Sequence, residues 1–390
     1  MADTIKLGII GVGNMGTSHV KNVVEKKLVE GVTITAIADR DEARRKWAKE
    51  TVPTAEIFCE GDELIEKADV DSVLIAVPHY QHPILAMKAM KKGLNVMCEK
   101  PAGVFTKNVR EMNKVADETG VVFGMMFNQR TNCTYRKIKE MIESGELGEI
   151  RRVNWIITNW FRTQFYYDSG AWRATWSGEG GGVLLNQCPH NLDLLQWLCG
   201  MPSKVRAFCH IGKWHDIEVE DDVTAYLEFP NGATGVFVTS TGDAPGTNRL
   251  EITCDKGTVI TDGKEIEYRK LKVPSDEFCK TAKAAFAKVE YDVVPVETDG
   301  KNGAHSEVLT KFAGRILNGT PLVADGREGI NGLTLSNAMH LSSWLDKTVE
   351  IPFDEDLFYE ELQKRVKTSK AKENVQSVVS DTSGSYNGKG

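Results

Sequence analysis

An apolar strand, Lys6-Leu7-Gly8-Ile9-Ile10, runs straight into Gly11-Val12-Gly13-Asn14-Met15-Gly16, and a helical pattern begins near Thr17. That junction restricts the chain more than any other. Gly11 permits a tight turn, Gly13 lets the backbone approach a pyrophosphate, and Gly16 lets helix and strand pack closely. The N–H groups around Asn14 and Met15, at the positive end of the helix, suit phosphate oxygens. Glycine-rich turns are common, and alone this one would fit any βαβ unit. However, Asp39 closes a second strand, Val32–Ala38, about 20 residues further on, where a carboxylate meets a ribose diol. Together they predict a bound dinucleotide. Asp39 favours NAD because it repels a 2′-phosphate, while Arg40 beside it could accept one, which leaves NADP open.

A chain of 390 residues is long enough for two domains with separate cores. Its 41% hydrophobic and 26% charged residues, with a net charge of −7, describe a mildly acidic globular protein. No basic block argues for nucleic acid. The eight cysteines contain no Cys-x-x-Cys pair, so neither a zinc site nor a redox motif is expected. Unpatterned thiols suit a reducing compartment. No apolar run approaches membrane-spanning length, and a strand starting near Ile5 leaves no room for a signal peptide. Cytoplasm is the expected location.

The first part alternates strands (5–10, 32–38, 72–77, 94–98, 121–126) with helices (17–29, 41–50, 61–67, 83–92, 107–119), as a doubly wound parallel sheet does. After Phe127 the texture changes. A helix at 135–144 precedes longer strands of alternating character at 149–159, 203–211, 222–229 and 233–241, and a late helix at 329–346 follows. The expected fold class is α/β. A Rossmann domain over 1–127 joins a second α/β domain over 128–367, which carries a large, open, mainly antiparallel sheet. The stretch 368–390 reads as a polar, mobile tail.

In open α/β sheets ligands bind beyond the carboxyl ends of strands. Cys98-Glu99-Lys100-Pro101 ends the fifth strand, so Glu99 and Lys100 are expected beside a nicotinamide ring and its substrate. Pro101 biases Lys100 away from helix. A desolvated lysine there can hold a hydroxyl or exchange a proton. Val77, Pro78, His79 and His82 follow the third predicted strand and are expected along the nicotinamide ribose. Between Gly180 and Gly200, the residues Asn186, His190, Asp193 and Trp197 are spaced to share one helix face. Pro189 either starts that helix or kinks it. His190 is the candidate acid/base. Four of the eight tryptophans fall within 155–176, next to Phe161, Phe165, Tyr166 and Tyr167. Aromatic faces of this kind suit sugar rings, and Arg162 and Arg173 suit their hydroxyls.

These motifs, in this order, resemble the Gfo/Idh/MocA oxidoreductases, and the segment Phe312-Ala-Gly-Arg through Asp325-Gly-Arg327 does too. The resemblance spans about residues 4 to 353. It implies a Rossmann domain, then a domain whose sheet floors the active site and often mediates homo-oligomers. Lys100 matches the lysine that contacts the reacting hydroxyl, and His190 the histidine that moves its proton. The pair Trp172-Arg173 borders nicotinamide and substrate in some relatives. Asn128 is expected on the cofactor, while Arg130, Tyr166 and Asn186 are expected on the substrate. Asn186 stands where many relatives carry Asp, and an amide cannot accept a proton. The expected reaction is NAD-dependent oxidation of a secondary hydroxyl, preferably C3, of a sugar or glycoside, with no metal. Two alternatives stay open: a glycosidase or lyase that retains NAD and passes through a keto-sugar, and a catalytically silent dinucleotide-bound sugar sensor.

Overall fold

The computed structural model describes residues 4–370, 372 and 375. The amino-terminal half builds the strands β1 (Ile5–Ile10), β2 (Val32–Ala38), β3 (Glu56–Phe58), β4 (Ser72–Ile75), β5 (Asn95–Cys98) and β6 (Phe123–Met125). Between them run α1 (Asn14–Val24), α2 (Glu42–Thr51), α3 (Gly61–Lys67), α4 (Gln81–Lys91) and α5 (Thr106–Thr119). The strands pair in parallel in the order β3-β2-β1-β4-β5-β6. Every residue of β4 is buried, as helices on both faces of a parallel sheet require. Asp41 caps α2 by accepting the N–H groups of Ala43 and Arg44, and Gly120, in the left-handed region at φ 66°, ends α5.

The second half opens with α6 (Cys133–Glu143), β7 (Ile150–Ile157), α7 (Gln164–Asp168) and α8 (Pro189–Cys199). There follow β8 (Lys204–Ile211), β9 (Glu220–Glu228), β10 (Thr234–Ser240), β11 (Asn248–Cys254), β12 (Gly257–Thr261) and β13 (Ile266–Leu271). The chain continues through α9 (Ser275–Thr281), β14 (Tyr291–Pro295), α10 (Ala304–Asn318), α11 (Gly329–Leu345), β15 (Val349–Glu350) and α12 (Glu355–Thr368). Nine strands form one open sheet in the order β14-β13-β12-β11-β7-β10-β9-β8-β15. Every pairing is antiparallel except β7 with β10. The α/β class and both sheets match expectation.

The folded chain departs from the simple division at Phe127. Val308, Leu309, Phe312 and Ala313 of α10 are buried in the same apolar cluster as Ile5, Leu7 and Ile9 of β1. A segment assigned to the second domain therefore returns to complete the first core. The reason is physical: β1 needs an apolar cover on this face, and α10 supplies an apolar stripe at helical spacing. Most of the segment 368–390, read as a tail, lies outside the described residues. Within the described part, α12 runs to Thr368, and the Lys372 ammonium donates to the Tyr167 carbonyl at 2.7 Å. No helix among the described residues is long and apolar enough to cross a membrane.

Candidate active site

A cavity of about 650 Å³ lies beyond the carboxyl ends of β1, β2, β4 and β5. Gly11, Gly13, Asn14 and Met15 line one part, and Asp39 and Arg40 line the next. The glycine loop is cut to shape. A Cβ at Gly16 would sit 1.9 Å from the Gly11 carbonyl oxygen, whereas one at Gly13 would meet nothing within 4 Å. Close packing thus requires the last glycine, and the middle one faces open space that a pyrophosphate would fill. The Asp39 carboxylate accepts the N–H of Val12 at 2.7 Å and of Asp41 at 2.9 Å, which fixes it at the cavity rim. Arg40 is paired with Glu60 at 2.8 Å, so its charge is partly neutralised where a 2′-phosphate would bind.

Val77, Pro78, His79, His82, Glu99 and Lys100 line the middle of the cavity. His82 bridges the carbonyls of Val77 and Pro101, each at 2.7 Å, and so ties the end of β4 to the segment after β5. His79 is edge-on to Trp172 at 5.6 Å. Burial, with the charges of His82 and Lys100, holds its pKa well below 6.5. The carboxylate of Glu99 is committed to the His19 ring at 2.7 Å and to the backbone N–H of Lys100 at 3.2 Å. Burial opposes its charge, but the His19 contact prevails and holds the carboxyl at about 2. The Lys100 ammonium crosses to the second domain and donates to the Asn186 carbonyl at 3.0 Å.

The far wall comprises Trp160, Arg162, Tyr166, Trp172, Arg173, Asn186 and Gln187. Arg173 donates to the Tyr166 hydroxyl at 2.9 Å and stacks on the Trp172 ring at 4.8 Å. Above this wall the triple glycine is held by Glu220, whose carboxylate accepts the N–H groups of Gly182 and Leu184. α8 starts at Pro189. Asn186 therefore precedes the helix and does not share a face with His190, because proline at the first helical position marks a start. His190 is buried in the first turn and is not among the lining residues. Burial and the Lys100 charge keep its pKa well below 6.5, so the ring is neutral at neutral pH.

Two expected contacts fall elsewhere. Arg130 is buried and bidentate to Asp193 at 2.8 and 2.7 Å, and it reaches Glu328 at 2.7 Å. Three of its N–H groups are taken by carboxylates, and it is not among the residues that line the cavity. Asn128, in the short helical turn 128–131, is also buried away from the cavity wall. Sequence reading missed Glu60 and Asp62, which line the cavity after a three-residue strand too short to show a period. It also missed His19 and His305, which are distant in sequence from the motifs they join, and Glu179, which precedes the triple glycine without a motif of its own. No group of three or more metal-ligating side chains occurs among the described residues.

His79, His190 and His305 all have depressed pKa values, chiefly through burial, with His305 at about 4. The unfolded chain binds these protons near 6.5, so acidification favours unfolding. Folding stability is expected to fall as pH drops from 6.5 towards 4, which the urea midpoint at pH 7, 6 and 5 would report.

Residues 5–127 match a family described as "Oxidoreductase family, NAD-binding Rossmann fold", and residues 135–260 match "GFO/IDH/MocA C-terminal domain". The chain is 24% identical to the myo-inositol 2-dehydrogenase of Thermotoga maritima over 355 residues, covering 89% of this chain and 98% of that one. It is 23% identical to the scyllo-inositol 2-dehydrogenase (NAD(+)) of Bacillus subtilis over 350 residues, covering 87% and 95%. Among solved structures, the WlbA dehydrogenase of Chromobacterium violaceum in complex with NADH and UDP-GlcNAcA superposes with a TM-score of 0.78 at 27% identity, covering 91% of this chain and 98% of that one. A levoglucosan dehydrogenase in complex with NADH and L-sorbose shares the fold at 19% identity, with a TM-score of 0.75, covering 90% and 100%.

Proposed function

Because the chain belongs to the Gfo/Idh/MocA family of oxidoreductases, we propose that Lys100 and His190 are the residues with which it oxidises a secondary hydroxyl, C3 of a hexose ring or glycoside being preferred. Its class is that of an NAD-dependent oxidoreductase acting on the CH–OH of a sugar or cyclitol. Gly13, Asn14 and Met15 would hold the pyrophosphate, Asp39 the adenosine ribose, and His79 and Trp172 would border the nicotinamide. Bound NAD⁺ supplies a hydride acceptor. The observation that carries the reading is the Lys100 ammonium, held at 3.0 Å from the Asn186 carbonyl on the wall shared by the two domains.

An ammonium in that position would donate to the substrate oxygen and stabilise the alkoxide that develops as the hydroxyl proton leaves, before hydride transfer turns it into the ketone. His190, buried behind the lining residues and neutral at neutral pH, carries an unprotonated ring nitrogen that can take the proton. Tyr166, Trp172 and Arg173 supply the ring face and hydroxyl contacts. A ketone at C3 would acidify the C2 proton and so prepare a later elimination. The exposed side chains Ile156, Phe208 and Tyr226 on the nine-stranded sheet support a homo-oligomer through that face, and the thiol pattern supports a cytoplasmic setting.

The test is a panel of hexoses, inositols and glycosides assayed for NADH absorbance, with NMR of the products. NADH formed with a keto-sugar supports the proposal. Release of aglycone without net NADH would point instead to an NAD-retaining glycosidase. Binding of both ligands without turnover would point to a sensor. A further expectation concerns cofactor choice. Asp39→Ala removes one charge-assisted contact to the ribose and should raise the KM for NAD by about 10- to 100-fold while narrowing the preference over NADP. An unchanged ratio of the two kcat/KM values would refute the role of Asp39.

A further inference from the structure

At position 186 the chain offers an amide, which can neither carry charge nor take a proton. Folding brings a carboxylate to that amide from seven residues earlier. Glu179 is only 2% exposed, and the Asn186 side-chain N–H donates to one of its oxygens. The other oxygen accepts the backbone N–H of Ala174 at 2.5 Å. Ala174 is fully buried with φ at 53°, in the left-handed region that a residue with a Cβ enters only when its surroundings hold it there. Glu179 thus grips two pieces of the cavity wall at once: the turn that presents Trp172 and Arg173, and Asn186.

Asn186 is in turn the hub of the wall. Its backbone N–H donates to the Gly182 carbonyl at 2.9 Å, its side-chain oxygen accepts from Tyr166 at 3.4 Å, and its carbonyl receives the Lys100 ammonium at 3.0 Å. This residue lies outside any helix, so the helical ladder does not set its orientation. Its side-chain amide is set by the groups it bonds, and of these Glu179 carries the charge. Resting on the dehydrogenase reading above, we propose that Glu179 is the positioning residue of this site, fixing Asn186 and through it the seat of the Lys100 ammonium. Burial pushes the Glu179 carboxyl above the usual range, against the pull of Arg173. That cost is consistent with a carboxylate retained for placement.

Glu179→Gln separates placement from support. Glutamine keeps an acceptor for the Ala174 N–H but turns an N–H towards Asn186, so the second grip can reform only by flipping the Asn186 amide and giving up the bond it accepts from Tyr166. With a sugar that is active in the panel, kcat should fall about 10- to 100-fold, the loss that a misplaced reacting group produces, while the affinity for NAD stays unchanged. In E179Q/N186D the amide and carboxylate exchange places and the hydrogen bond is restored with reversed polarity. That variant should recover to within about tenfold of wild type. Asn186→Asp alone sets two carboxylates face to face and should be impaired. An undiminished Glu179→Gln would overturn the inference, as would a double variant more than about tenfold below wild type. This second criterion also applies if Glu179→Gln does not fold. A wild-type chain inactive with every sugar overturns the dehydrogenase reading and this inference with it, whereas an active wild type with an undiminished Glu179→Gln overturns only the role of Glu179.

Discussion

Lys100→Met lowers kcat by roughly 10²- to 10³-fold, the range for loss of a donor that stabilises charge developing on the reacting oxygen. Methionine has nearly the length of lysine and no charge, so the cavity keeps its shape. The change also removes a half-buried donor from the Asn186 carbonyl, which lies at 3.0 Å in the wild type. Stability is expected to change little, because that carbonyl opens onto the cavity and water can replace the ammonium. Affinity for NAD should remain measurable, because the glycine loop and Asp39 lie at the other end of the site. Fluorescence titration with NADH, beside steady-state turnover, distinguishes the outcomes. Undiminished turnover refutes the role of Lys100, and loss of both turnover and binding would make it a cofactor residue first.

The parts of this site that were legible in the sequence share one property: each follows from a local rule. Gly11, Gly13 and Gly16 are demanded by backbone geometry within six residues, and Asp39 by its place at the end of the next strand. Lys100 follows from strand-end logic once β5 is recognised. What escaped depends on tertiary pairing. Arg130, three residues past Phe127, was expected on the substrate. Only the fold shows that Asp193, 63 positions on, closes around it. Glu179 carried no motif of its own, since a glutamate before three glycines reads as a solvated turn. Its burial and its hold on Asn186 emerge only when β9 and its Glu220 pin the glycine segment. The helix α10 was hidden for a similar reason. An apolar stripe announces that a helix must be covered, but not which domain covers it.

Arg130→Met tests the placement of that arginine outside the cavity lining. The Arg130 and Asp193 side chains are 2% and 1% exposed, and their two hydrogen bonds of 2.8 and 2.7 Å share one bidentate geometry. Such a pair gains little over an apolar one, yet removing a single partner leaves a buried charge uncompensated. Methionine at 130 strands the Asp193 carboxylate with Gln196 at 3.1 Å as its remaining side-chain donor. Unfolding free energy should fall by about 3–5 kcal/mol. The second partner, Glu328, is 38% exposed and can turn to water, so its loss adds little. R130M/D193L removes both charges from the interior and should regain at least half of the loss, whereas two independent defects would add. Urea unfolding of the single and double variants measures both quantities. Substrate KM in folded Arg130→Met should match wild type. A normal urea midpoint with a raised KM would return Arg130 to the substrate site.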